Sequence, residues 1–135
     1  MSDHLALALY IKFDIIEMYF EIIFYKDFKN NSPVEKFLIE LGKMNKILVA
    51  RTRNGIEKLR HRVYHKEPLS KYIESGLWEL RVKAGSDILR ILYTFRKGKI
   101  IILLHVFIKK QQKTPAGELE TARKRLKEIK MKEIN

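Results

Sequence analysis

Three apolar runs between residues 77 and 107, separated by two very short turn signals, constrain this chain more than anything else in it. "LWELRVK" (77–83) sets Trp78, Leu80 and Val82 against Glu79, Arg81 and Lys83, the two-residue period of a strand with one buried face. "AGSD" is turn chemistry. "ILRILYTFR" (88–96) alternates again, with Leu89, Ile91, Tyr93 and Phe95 opposite Arg90, Leu92, Thr94 and Arg96. "KGK" makes a second tight turn. "IIILLHVF" (100–107) is apolar on both faces, as a central strand is. Connections this short join antiparallel neighbours, so the sequence predicts an antiparallel meander with helices covering its apolar side.

The remaining elements follow from capping signals and periodicity. "YFEIIFY" (19–25) is aromatic and β-branched and predicts a strand. In "SPVEKFLIELG", Ser32 is the expected N-cap, Pro33 the first helical residue and Glu35 the partner in a capping box. Val34, Phe37, Leu38 and Leu41 form its apolar stripe, and Gly42 is the expected stop. A second helix is predicted from about Lys43 to His65, with Ile56, Leu59 and Val63 inward. Arg51, Arg53, Lys58, Arg60 and Arg62 are outward, and Gly55 sits in the middle. The two helices would form a hairpin on one face of the sheet. A last helix is announced by Thr114 as N-cap and Pro115 at its first position. Leu119, Ala122, Leu126 and Ile129 are its narrow apolar stripe. The reading is one α+β domain over residues 19–135, ordered β-α-α-β-β-β-α. Residues 1–18 are expected to be an N-terminal extension outside the core fold.

Charge points to a partner. Lys+Arg number 28 against 16 Asp+Glu, for a net charge of +12, which suits nucleic acid, an acidic protein or an anionic membrane surface. The absence of cysteine excludes disulfides, thiolate nucleophiles and cysteine-ligated zinc. His61 and His65 stand at i, i+4 without the Glu of a metalloprotease motif, and are expected on the surface of a basic helix. No run is long and apolar enough to span a membrane. The N-terminus carries Asp3, Lys12, Asp14 and Glu17 among its apolar residues, a poor signal peptide. The cytoplasm is the expected location.

If the apolar members of the meander face the helices, Arg81, Lys83, Arg90 and Arg96 share the opposite, open face. Lys109 and Lys110 emerge at the end of the neighbouring strand, and Lys113 lies in the connector. Lysines crowded there repel one another unless an anion sits among them. Guanidinium groups grip phosphate oxygens in pairs and ammonium groups act as point charges, so these residues predict a phosphate-binding face. Glu79 is the one acid among them. His105, inside an apolar strand, is read as structural before catalytic, and Tyr93 and Trp78 are read as core.

The segments "LWELR" (77–81), "LRILY" (89–93), "LLHVFIKK" (103–110) and "KTPAGELETA" (113–122) together resemble the phage-derived HigB-type toxins of the RelE/ParE superfamily. The resemblance is dense in the C-terminal half. Between Tyr19 and His65 it rests on element order and apolar pattern. It implies a RelE-like α+β fold, with an antiparallel sheet, an N-terminal helical hairpin on one face and a C-terminal helix. It also implies a metal-independent mRNA endoribonuclease acting on ribosome-bound message, without small-molecule cofactor or membrane, and neutralised by a helix-turn-helix antitoxin. The chemistry implied is attack of an RNA 2′-hydroxyl on the adjacent phosphate, giving a cyclic phosphate. By that resemblance Arg90, Arg81, Lys109 and Lys110 are the expected catalytic group, with His105 as a further candidate; Lys83, Arg96 and Lys113 are expected to bind RNA. The same superfamily contains toxins that inhibit DNA gyrase without cutting RNA, which is the alternative.

Overall fold

The predicted meander forms the middle of the sheet. The computed structural model describes residues 19–109 and 114–134. Strands β2 (Ser70–Glu74), β3 (Leu77–Ala84), β4 (Asp87–Arg96) and β5 (Ile100–Ile108) run antiparallel in succession. A further strand, β1 (Glu21–Phe24), lies parallel beside β5, giving the order β1-β5-β4-β3-β2. The sheet is therefore mixed rather than antiparallel throughout, because a long helical connection carries the chain from β1 to the far edge. The sequence reading contains no β2. Its "SKYIE" exposes Lys71 and Tyr72 on an edge, so it lacks the apolar alternation that reveals an inner strand.

Helices α1 (Pro33–Met44) and α2 (Lys46–Lys58) pack on each other and on one face of the sheet, against β5 and β3 respectively. They lie between β1 and β2 in the chain, in the order read from the sequence. Their ends depart from the expected caps. Ser32 makes no side-chain capping bond, and α1 continues through Gly42. Asn45 separates the helices, its side chain accepting from Leu48 N at 3.0 Å. Gly55 lies inside α2 because the helix rides close on β3: a Cβ there would sit 3.3 Å from Val82 Cγ2. The helix stops at Lys58, and Arg62–Tyr64 form a single 3-10 turn. His65 is consequently not on a helix surface. Its ring lies 4.8 Å from those of Phe20 and Phe95, and its Nε2 is 2.6 Å from the Leu59 carbonyl.

Each face of the sheet carries its own core. On the α1/α2 side, Leu80, Val82, Leu89, Ile91, Tyr93 and Leu103 pack with helix residues such as Val34, Leu41 and Leu48. Tyr93 is fully buried, its hydroxyl donating to Ser70 Oγ at 2.8 Å, and Trp78 packs against this core, as read from the sequence. The other face is not open. Helix α3 (Ala116–Ile134) lays Ala122 and Leu126 on Leu77, Leu92, Leu104 and Phe107. Leu92, Leu104 and Phe107 are apolar residues on the side expected to be wet, and they need this cover. The reading assigned to residues 1–18 falls outside the described residues.

Candidate nucleic-acid interface

Strand register arranges the polar residues of the α3 face in three rows. The first is Glu79, Leu92 and His105; the second Arg81, Arg90 and Phe107. The third begins Lys83–Ile88, and Lys109 N extends it by donating to Ile88 O at 3.1 Å. With strands about 4.8 Å apart, the Lys83 and Lys109 backbones stand about 10 Å from each other across β4. The start of α3 touches the first row. Thr114 Oγ1 donates to Glu79 Oε2 at 2.6 Å instead of capping the helix, and Glu118 meets His105 Nε2 at 2.8 Å.

Behind the third row lies a buried charge network. Glu79 is fully buried, accepts from Arg81 Nε at 2.7 Å, and has Arg90 Nη1 at 4.0 Å. Arg90, expected on an open surface, is 1% exposed. A buried carboxylate is tolerable only with compensating charges and hydrogen bonds. Glu79 thus fixes the orientation of Arg81, which remains partly exposed, and ties the connector at Thr114 to the sheet.

The accessible positive charge stands at the edge where β2 begins and β3 runs on past it. A cleft of about 860 Å³ is lined there by Lys58, Tyr64, Lys66, Leu69, Arg81 and Lys83, among others. Arg51 reaches its rim, with Nη1 donating to Lys83 O at 3.0 Å. Among the described residues, no carboxylate pairs with Lys58, Lys66, Lys83 or Lys109. Tyr64 is 37% exposed, and Lys58 Nζ lies 5.5 Å from its ring centre. A partly exposed aromatic ring amid point charges can stack a base while the cations hold its backbone.

The structure brings Arg81, Lys83 and Lys109 to one end of the sheet and sets Arg90 beneath them. It separates the others. Arg96 is six residues along β4 from Arg90, about 20 Å of strand, where its guanidinium pairs bidentately with Glu133. His105 belongs to a node that fastens α3. Its Nε2–H donates to Glu118, while Nδ1 accepts from Arg125 Nη1 at 3.3 Å, so one neutral tautomer satisfies both partners. Burial pushes its pKa down, outweighing the carboxylate of Glu118, and Arg125 adds to the shift. Arg125 also donates to the carbonyl of Leu104 at 2.7 Å, the residue that a bulge in β5 inserts opposite β4. The side of Arg125 lies over the Tyr25 ring, and Tyr25 donates to Glu128. Burial and Glu128 raise the Tyr25 pKa to about 12. Lys110 and Lys113 lie outside the described residues. Lys58, Tyr64 and Lys66 are the residues that sequence reasoning missed. The signal for Tyr64 and Lys66 was "RHRVYHKEP" (60–68), a basic, aromatic segment running into proline, read as the end of a helix; Lys58 was read only as an outward helix residue.

Among the described residues, no group of three or more His, Asp or Glu is arranged to hold a metal ion, and no helix is long and apolar enough to cross a membrane. Residues 39–127 match the family model described as Phage derived protein Gp49-like (DUF891). No curated protein matches the chain. The match spans well over half of the sequence, and the chain belongs to the Gp49-like family, known for RelE- and HigB-like toxins of toxin–antitoxin systems. Membership in a toxin family implies an antitoxin as partner.

Proposed function

We propose that this Gp49-like chain is a RelE-like, HigB-type toxin that cuts ribosome-bound mRNA, and that the strand-end cleft holds the RNA. The observation that carries this reading is the group of Lys58, Lys66 and Lys83, without carboxylate partners among the described residues, around a partly exposed Tyr64, with Lys109 at the same end of the sheet across β4. Phosphate oxygens would complete the charge balance that the fold leaves open there. Arg81, oriented from behind by Glu79, is the proposed donor to the phosphate whose charge grows as the 2′-oxygen attacks. The adjacent lysines would hold neighbouring phosphates, and Tyr64 would stack a base that has left its helix. The attack forms the 2′-oxygen–phosphorus bond and expels the 5′-oxygen, leaving a cyclic phosphate and a 5′-hydroxyl. Arg90 acts in this scheme by positioning Glu79 and Arg81 rather than by touching RNA. A helix-turn-helix antitoxin and a cytoplasmic setting accompany the proposal.

The test is a cell-free translation reaction with purified protein, its reporter message mapped by primer extension, beside a ribosome-free control. New 5′ ends in the translating reaction, lost with Lys66→Glu plus Lys83→Glu, are the expected result. An intact message under active translation overturns the reading and directs the next assay to DNA gyrase.

A further inference from the structure

Arg81 borders two cavities. Besides the strand-end cleft, it lines a hollow of about 240 Å³ beside β2, walled also by Lys71, Ile73, Glu74, Thr114 and Leu119. Register brings these side chains together. Lys71 is opposite Glu79 in the β2–β3 pairing, and directly opposed residues share a face, so Lys71 joins Arg81 and Lys83 on the α3 side. Same-side neighbours along a strand are about 7 Å apart. Arg81 therefore stands between two lysines. The Lys83 backbone is about 7 Å away along β3, and the Lys71 backbone about 8 Å away across the pairing to β2.

The acids near this line are already taken or outnumbered. Glu74, on the hollow's wall, is held by Arg123 at 2.9 and 2.6 Å. Glu79 accepts from Arg81 and Thr114. In the cleft, Glu67 stands among Lys58, Lys66 and Lys83. Lys71 is exposed, and no carboxylate pairs with it among the described residues. The hollow thus extends the cleft's positive charge past Arg81, and it adds an apolar wall in Ile73 and Leu119. Cations spaced along a groove track a phosphate backbone, and an apolar surface beside them suits the face of a base.

We propose that this hollow is a second nucleotide subsite for single-stranded RNA. The strand that enters the cleft runs on past Arg81, and Lys71 holds a phosphate on the opposite side of Arg81 from the one at Lys83. This deepens the cleft reading and rests on it. The phosphate at Arg81 is then gripped in mid-strand, with bound nucleotides on both sides, and the neighbouring base lies against Ile73 and Leu119.

The test uses the full-length protein and a fluorescein-labelled single-stranded oligoribonucleotide, 2′-O-methylated so that it resists cleavage. Fluorescence anisotropy gives its affinity over a range of salt concentrations. Lys71→Gln and Lys83→Gln should each lower the slope of log affinity against log salt by roughly one unit, and the double variant by roughly two. Lys36→Gln, at an exposed position on α1, should leave the slope unaltered. A parental slope in Lys71→Gln beside a lowered one in Lys83→Gln overturns the second subsite and leaves the cleft standing. Parental slopes in both variants overturn the cleft reading as well. A double variant no lower than either single one means one shared phosphate, and an equal drop in Lys36→Gln means diffuse charge; each overturns the proposal.

Discussion

At one end of the α3 face, Arg96 meets Glu133 through two nitrogens, and on β2 Glu74 is held by Arg123 at 2.9 and 2.6 Å. At the other end, Lys83 and Lys109 have no carboxylate partner among the described residues, and Glu79 is turned inward to Arg81 and Thr114. The two ends use the same side-chain types. Where cations meet acids on α3, charge fastens the helix to the sheet. Where the cations meet no acid, positive charge stays available to an outside anion. Repulsion among unpaired lysines costs stability, so the contrast separates a structural end from a binding end.

The largest expected effect lies under the binding end. Glu79→Ala leaves Arg81 and Arg90 without their shared carboxylate, and breaking a buried pair costs about 3–5 kcal/mol. Chemical denaturation should show that loss, with Arg90→Ala giving a loss of similar size; an unchanged midpoint in either variant would contradict the buried network. Next comes RNA affinity. Lys66→Ala and Lys83→Ala should each lower the slope of log affinity against log salt by roughly one unit, at unaltered melting temperature. If both bind single-stranded RNA like the parent, the cleft is not the interface.

A smaller effect concerns pH. Burial holds both His65 and His105 below the ordinary value of 6.5. The unfolded chain therefore takes up protons more readily, and stability should be full above about 6.5 and decline as pH falls further. A His65→Asn plus His105→Gln variant should flatten that acid limb in thermal melts; an equally steep limb would place its origin elsewhere. The smallest effect belongs to the structural end. Arg96→Ala removes a partly exposed pair and should lower the melting temperature only slightly, less so in added salt. RNA cleavage should be unaffected, and a loss of cleavage would erase the distinction between the two ends.

Much of this was legible in the sequence. Alternation along 77–83 and 88–96 identified β3 and β4 and the side to which each residue points, because a period of two admits no other assignment when one face is buried. The apolar stripe of α3 was equally plain. What failed was the inference that a face bearing arginines must be wet. Leu92, Leu104 and Phe107 on that face were the counter-signal, and with α3 above them Arg90 becomes a buried partner of Glu79. The bulge at Leu104 leaves no local signature, since it arises from pairing with β4. The 60–68 segment was misassigned for a different reason: it has no period at all, and its contribution depends on Leu69 pairing with Arg81.

The parallel pairing of β1 with β5 governs how the protein comes into being. Phe24 is opposite Leu103, so β1 leaves the ribosome long before the strand that it pairs with. At about 5–20 residues per second, that interval is on the order of ten seconds. Contacts of such sequence separation also form late in folding. A nascent chain can form α1 and α2 early, yet it cannot close the sheet until β5 has emerged, nor seat α3 until that helix has followed it.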